Sequence, residues 1–161
     1  MKPDNLLVFS TSEDCPINCK LSDFGSVTHV GLLSALMGDK QDANAGTAAY
    51  MAPEVIEDSA YTQYSFPADV FSFGMLFWQM ITEQVPYDPK EFKRPWDIAS
   101  FVKAKKRLPI PSDVPTTIAS LMRSCWEHDP INRPLPDQII STLQALLQHT
   151  GSPRVNTSKH Q

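Results

Sequence analysis

The residue types best suited to chemistry lie near the start of the chain. Lys2 and Asn5 are three positions apart in Lys2-Pro3-Asp4-Asn5, and Asp23 opens the tripeptide Asp23-Phe24-Gly25. Carboxylate and amide oxygens are hard ligands of the kind that Mg²⁺ prefers, and a lysine ammonium is a point charge suited to phosphate. Each residue also has a plainer interpretation, because Asp-Phe-Gly suits a turn and a single lysine is ordinarily a surface residue.

Two short apolar runs beside these residues predict a small β-ribbon. Leu6 to Phe9 is followed by the polar stretch Ser10 to Asp14, and Cys19 to Leu21 comes just before Asp23. Apolar runs of this length, separated by polar residues, are typical of two strands joined by a hairpin loop. Residues 25 to 49 show little periodicity, so we expect a long loop, and loops of that length are often functional.

The rest of the chain has helical periodicity, which predicts a mainly α fold. Phe66 to Ile81 is apolar on nearly every face, as expected of a buried helix. Three amphipathic helices are predicted after it, over Trp96 to Ala104, Pro115 to Trp126 and Leu135 to His149. We expect residues 1 to 150 to form one domain and residues 151 to 161 to form a disordered tail.

Charge and hydropathy disfavour two classes of partner. The net charge of −4 argues against nucleic acid, which is bound by clustered Lys and Arg. The one basic run, Lys103 to Arg107, fits a solvated helix end better than a binding patch. The longest apolar stretch, Val70 to Ile81, is too short to span a bilayer. We therefore expect neither nucleic acid nor a membrane as a partner.

The cysteines indicate a reducing compartment. The chain has three, an odd number, and no signal peptide at its start, so reduced thiols and a cytoplasmic location are expected. Cys15 and Cys19 lack the second pair that would complete a zinc site. Cys125 lies in an apolar helical stretch and is expected in the core.

Four segments, in this order, resemble the signature motifs of protein kinases. Lys2 to Asn5 resembles the end of the catalytic loop, and Asp23-Phe24-Gly25 resembles the magnesium-binding motif. The third segment comprises Gly46-Thr47 and Ala52-Pro53-Glu54, and it is similar to the substrate-positioning loop and its closing motif. The fourth is Ala68 to Gly74, in which Asp69 is similar to the residue at the head of the buried kinase helix. The resemblance implies a protein-kinase-like C-terminal lobe, mainly helical, with a short β-ribbon at its N-terminal end and the N-terminal lobe absent.

The resemblance also implies catalytic roles. Asn5 and Asp23 would hold the Mg²⁺ ions that accompany ATP, and Lys2 would place its charge beside the transferred phosphate. Thr47 would act in the substrate-positioning loop. Lys2 and Thr47 follow the pattern of serine/threonine kinases, whereas Asp69 to Gly74, with Cys125-Trp126 further on, is in the style of the tyrosine-kinase-like group. The implied partner is a protein substrate.

Other matched residues have structural or regulatory roles in the family. Glu54 and Arg133 would form a buried ion pair that ties the substrate loop to the helical core. Asp69 would accept hydrogen bonds from the catalytic-loop backbone, and it would also suit a helix N-terminus, where the dipole favours a carboxylate. Residues 26 to 45 correspond to the activation loop, in which the phosphorylation candidates are Ser26, Thr28 and Ser34.

The sequence departs from the family pattern at its start. In H-R-D-L-x-x-x-N the catalytic aspartate lies five residues before the asparagine, which is one position before Met1. The 161 residues contain neither Gly-x-Gly-x-x-Gly nor Val-Ala-Ile-Lys. We therefore expect the N-lobe of the parent protein to be missing from this chain. We also expect the chain to be inactive alone and only marginally stable. Three interpretations stay open: a piece of an active kinase, a kinase-like lobe that binds partners without catalysis, or a product without function. The retained Lys2, Asn5 and Asp23 favour the first.

Overall fold

A computed structural model describes residues 1–12, 18–23, 48–57 and 66–150. Strand β1, Leu6–Val8, pairs antiparallel with strand β2, Cys19–Leu21, and Leu6 lies opposite Leu21. A 3₁₀ turn, Pro3–Asn5, leads directly into β1. The predicted β-ribbon is confirmed.

Helices make up most of the remaining described chain. They are α1 (Pro53–Glu57), α2 (Phe66–Thr82), α3 (Pro95–Lys103), α4 (Thr116–Cys125) and α5 (Pro136–Thr150). A second 3₁₀ turn, Pro130–Asn132, begins at Asp129, whose side chain accepts a hydrogen bond from the Ile131 amide nitrogen. The mainly α prediction is confirmed, and α2 to α5 begin and end within one residue of the predicted bounds. Helix α1 was not predicted.

Helix α2 supplies much of the core. Phe71 and Met75 are fully buried, as are Met122 and Cys125 of α4, which packs against it. The two helices approach closely at Gly74, where a Cβ atom would lie 2.9 Å from the Cys125 Cβ. The expectation that Cys125 lies in the core is confirmed.

The prediction that α2 is buried on all its faces is correct for its middle turns and wrong for its ends. Phe66 is 79% exposed and Met80 is 62% exposed. Apolar residues on every face produce burial only where other elements cover the helix, and in the described part of the chain the middle turns are the covered ones.

Several expectations concern residues outside the described ranges. They are Cys15, the phosphorylation candidates Ser26, Thr28 and Ser34, the loop residue Thr47, and the tail at 151–161. Within the described ranges, none of the helices combines the length and apolar character needed to cross a bilayer.

Candidate active site

The β-ribbon places Asn5, one candidate metal-ligand residue, beside Ser22, which directly precedes the other, Asp23. The Ser22 amide nitrogen donates to the Asn5 carbonyl oxygen over 2.7 Å, and Ser22 Oγ lies 3.1 Å from the same oxygen. These bonds extend the strand pairing of Leu6 with Leu21 by one position. The backbone of Asn5 is therefore fixed beside the residue that precedes Asp23.

Asp23 lies where the backbone leaves β2 and has a φ of 58°. This left-handed conformation is uncommon outside glycine, but aspartate tolerates it better than most residues because its short polar side chain can bond locally. The Asp23 side chain is exposed, and Asn5 is partly exposed. Both side chains are therefore accessible to a ligand from solution.

The donor chemistry at this edge fits Mg²⁺. Asp23 offers a carboxylate and Asn5 an amide oxygen, and Mg²⁺ in phosphoryl-transfer sites is commonly bound by one or two carboxylates together with substrate phosphates and water. Among the described residues, no three His, Cys, Asp or Glu side chains come together as a metal-binding group. A site of this composition would depend on phosphate or water oxygens to complete the coordination.

Lys2 and Asp69 lie near the same edge. Lys2 Nζ is 3.8 Å from Asp4 Oδ2, and the Lys2 carbonyl oxygen accepts a 3.1 Å hydrogen bond from the Asn5 amide nitrogen. The Met1 nitrogen is 3.9 Å from Asp69 Oδ1, which is too far for a hydrogen bond. Asp69 is thus close to the segment resembling the catalytic loop, with a side chain that is 72% exposed.

Tyr50 attaches the segment before α1 to helix α2. Ser72 Oγ lies 2.8 Å from the Tyr50 carbonyl oxygen, and the Tyr50 hydroxyl donates to Gln79 Oε1. Burial, assisted by the negative charge of Asp4, raises the pKa of Tyr50 to about 12, so the hydroxyl keeps its proton at neutral pH. Sequence reasoning did not single out this anchor, because its partners are distant in the chain and none of them is charged.

Glu54 and Arg133 form a bidentate ion pair. Arg133 Nη1 donates to Glu54 Oε1 and Nη2 to Oε2, each over 2.7 Å. The Arg133 side chain is fully buried, whereas the Glu54 side chain is 19% exposed. The pair joins helix α1 to the segment after the second 3₁₀ turn, so it holds the end of the candidate substrate loop against the helical core.

The remaining donors of Arg133 are also used. Nε donates to the Glu127 carbonyl oxygen, Nη1 to that of Pro67 and Nη2 to that of His128, over 2.9, 2.7 and 3.2 Å. A guanidinium group has five N–H bonds, and here each one has an acceptor. Arg133 therefore connects α1, the first turn of α2 and the segment after α4 through a single side chain.

Arg107 corrects one sequence prediction. Its Nε donates to the Trp126 carbonyl oxygen over 2.8 Å, and Nη1 lies 3.2 Å from that of Val102. Burial lowers the pKa of Arg107. The run from Lys103 to Arg107 was predicted to be a solvated helix end, which is wrong for Arg107 because its guanidinium binds carbonyl groups that the helix ends leave without an intrahelical donor.

The guanidinium groups of the buried Arg133 and the partly buried Arg107 contact the same aromatic ring. The Cζ atoms of Arg107 and Arg133 each lie 5.1 Å from the centroid of Phe71. A cation over an aromatic face is attracted by the ring quadrupole, and the attraction is stronger where water is excluded. Phe71, which is fully buried, therefore contributes to holding both arginines in place.

These contacts define a mainly helical lobe that has candidate oxygen ligands at one edge and holds a loop segment against its core with a Glu–Arg ion pair. Residues 1–145 match the protein kinase domain. The chain belongs to the protein kinase family.

Similar proteins come from several organisms. A probable serine/threonine-protein kinase of Dictyostelium discoideum is 33% identical over 159 residues, covering 92% of this chain and 10% of the relative. A mitogen-activated protein kinase kinase kinase of Drosophila melanogaster is 35% identical, covering 91% and 12% respectively. Mitogen-activated protein kinase kinase kinase 11 of Homo sapiens is 37% identical, covering 91% and 16%. The chain thus spans about a tenth of the length of the first two relatives.

Proposed function

We propose that the chain is part of a serine/threonine protein kinase of the tyrosine-kinase-like group, which in its intact form transfers phosphate from ATP to hydroxyl groups of protein substrates. The Dictyostelium discoideum relative, a probable serine/threonine-protein kinase, supports the serine/threonine assignment, as does the pattern of Lys2 and Thr47. The odd number of cysteines supports a cytoplasmic location.

The observation that carries this proposal is the junction between Asn5 and Ser22. It fixes the backbone of Asn5, whose side-chain amide is a candidate oxygen ligand, beside the strand end from which Asp23 emerges. In phosphoryl transfer, bound Mg²⁺ neutralises charge on the phosphate oxygens, and most of the protein's contribution is positioning. In the proposed site Asn5 and Asp23 orient the metal, Lys2 contributes a positive charge beside the phosphate, and Glu54 with Arg133 keeps the substrate loop in place.

Metal binding tests the proposed ligands without requiring turnover. Mn²⁺ replaces Mg²⁺ at oxygen sites, and its free concentration can be followed by electron paramagnetic resonance. We expect Asp23→Asn to raise the Kd for Mn²⁺ about tenfold or more, because the neutral amide removes the charge that attracts the metal. The matched control is Asp113→Asn, which makes the same change at an exposed turn.

Equal Mn²⁺ binding by the Asp23→Asn and Asp113→Asn variants would refute the proposed metal site. It would also favour the alternative function, a kinase-like lobe that binds proteins without catalysis.

We also propose that these 161 residues transfer phosphate negligibly on their own. The sequence supplies no His-Arg-Asp motif to orient the substrate hydroxyl and no glycine-rich loop to cover the nucleotide phosphates. A radiolabelled phosphate-transfer assay with a general protein substrate should give no signal above background. Turnover that Asp23→Ala abolishes would overturn this part of the proposal.

Regulation by phosphorylation is proposed for Ser26, Thr28 and Ser34. They fall in the stretch that resembles the activation loop, where an added phosphate commonly acts by pairing with arginine. Phosphopeptide mapping of the parent protein in its active form is the test, and absence of phosphate from all three positions would contradict the proposal.

A further inference from the structure

Positive charge is concentrated around helix α3. Residues 90–107 contain seven basic and two acidic side chains, a net charge of +5, whereas the rest of the chain has seven basic and 16 acidic residues. Half of the Lys and Arg residues of an acidic protein therefore lie in one short segment. None of the roles proposed above uses the lysines of this segment.

The outward face of α3 carries part of this charge. Trp96, Ser100 and Lys103 follow one another at intervals of four and three residues, which places them on one side of the helix. All three are exposed, whereas Ile98 and Val102 are buried against the core. The face that α3 turns to solvent thus combines an aromatic ring that is 47% exposed with a lysine.

Lysines also flank both ends of this face. Lys90 and Lys93 precede α3, and Lys105 and Lys106 follow it, all of them exposed. We call Trp96 together with Lys90, Lys93, Lys103, Lys105 and Lys106 the basic surface. The ion pairs present in the described part of the chain do not involve any of these five lysines.

Helix stability does not account for this arrangement. The dipole of α3 favours cations at its C-terminus but not at its N-terminus, where Lys93 directly precedes the capping residue Arg94. Lys105 has a φ of 60°, and its amide donates to the Val102 carbonyl while that of Lys106 donates to Phe101. This C-terminal motif usually places glycine at the left-handed position, so Lys105 occupies a position that the backbone disfavours for lysine.

One cation at this surface is already neutralised and held rigid. Arg94 Nη2 lies 3.1 Å from Asp97 Oδ1, and the Arg94 backbone nitrogen donates to Asp97 Oδ2 over 3.0 Å. The Arg94 Cζ lies 4.8 Å from the centroid of Trp96. The indole is therefore supported in its exposed position, and ordering it on binding would cost little additional entropy.

We propose that the basic surface binds an acidic segment of a protein partner. Helix α3, with nine residues, is about 13 Å long, which matches four residues of extended peptide at about 3.3 Å each. Tryptophan is one of the residue types that most often anchor protein interfaces, and clustered lysines attract a partner of opposite charge. A nucleic acid or an anionic bilayer would extend beyond the patch and meet the acidic remainder of the chain, so a short acidic peptide is the better match.

The experiment measures binding of a fluorescein-labelled hexaglutamate peptide by fluorescence anisotropy, with hexaglutamine as the neutral control. We expect the 161-residue chain to bind hexaglutamate, to bind it more weakly as salt is raised, and not to bind hexaglutamine. Lys103→Glu should raise the Kd about three- to tenfold, since it replaces an attraction by a repulsion. Trp96→Ala should also weaken binding.

The matched control for Lys103→Glu is Arg123→Glu, which makes the same change in charge at an exposed position of α4. Lys93→Glu, outside the helix, is a second variant in case Lys103→Glu disturbs folding, which circular dichroism would reveal. Equal weakening by the variants at positions 93 and 123 would overturn the proposal, because only net charge would then matter. Tighter binding to a single-stranded oligonucleotide or to phosphatidylserine vesicles than to hexaglutamate would also overturn it. The proposal rests on α3 and the lysines that flank it, and it does not depend on the proposed kinase activity.

Discussion

Replacing Arg133 by leucine should destabilise the fold more than any other arginine substitution in the described part of the chain. The substitution leaves the Glu54 carboxylate, only 19% exposed, without its bidentate partner. It also removes the donor from the carbonyl oxygens of Pro67, Glu127 and His128. Breaking a buried ion pair by deleting one partner costs about 3–5 kcal/mol, mostly because the remaining charge is left uncompensated.

This cost is large compared with the stability of a typical domain, about 5–15 kcal/mol. With a urea m-value of about 2 kcal/mol/M, the midpoint of unfolding should fall by about 1.5–2.5 M. Arg133→Lys should lie between the wild type and Arg133→Leu, because lysine keeps the charge but lacks the planar fork that serves both Glu54 oxygens. Glu54→Gln in the Arg133→Leu background should restore part of the loss, since it removes the unpaired charge.

Urea titration followed by circular dichroism measures these differences. Arg123→Leu is the control, because Arg123 is exposed on α4 and should tolerate the change within about 0.5 kcal/mol. Loss of a cooperative transition in Arg133→Leu, with Arg123→Leu still folded, would agree with the expectation. Equal midpoints for Arg133→Leu and Arg123→Leu would refute the reasoning.

Three further predictions follow from the core. Gly74→Ala would place a Cβ 2.9 Å from the Cys125 Cβ, and such overpacking costs about 1–3 kcal/mol. The gain in helix propensity, about 1 kcal/mol, offsets part of this cost, so urea titration should show a net destabilisation of up to about 2 kcal/mol. A stabilised variant would contradict the close contact. The neutral Tyr50 hydroxyl, whose pKa is raised to about 12 from 10.0, contributes stability that is present below about pH 10 and is lost as pH rises towards 12. The urea concentration at the midpoint of unfolding should therefore decrease as the pH is raised from about 9 to about 11, and it should decrease less in Tyr50→Phe. An equal decrease in both proteins would show that Tyr50 does not contribute to the pH dependence. Burial raises the pKa of the Cys125 thiol to about 12. Iodoacetamide at about pH 8 should therefore label the exposed Cys19 well before Cys125 in the folded protein. Equal labelling rates, measured by peptide mass spectrometry, would be inconsistent with a buried thiol at Cys125.

The sequence predicted those elements whose signal is local. The β-ribbon followed from two short apolar runs, and α2 to α5 followed from helical spacing over nine or more residues. Helix α1 was missed because five residues are too few to show a period. The partly wrong prediction for α2 has a related cause, since an apolar composition does not tell which turns will be covered.

Some residues of the candidate site could be named from the sequence and others could not, for a physical reason. Asn5, Asp23, Glu54 and Arg133 could be named as candidates because they lie in segments that resemble the motifs of a known family. Polar anchors such as the one formed by Tyr50 could not, because a hydroxyl and a carbonyl oxygen occur almost everywhere in a sequence. Their pairing appears only once the fold has brought distant segments together.

The Arg133 contacts also imply an order of folding. Two of its acceptors, the carbonyl groups of Glu127 and His128, are six and five residues away, whereas Glu54 is 79 residues away. Closing a long loop costs chain entropy before the contact can repay it. We therefore expect the guanidinium group to be oriented first by its near neighbours and to capture Glu54 late. The end of the candidate substrate loop, held through Glu54, would then dock after the segments around Arg133 and detach before them.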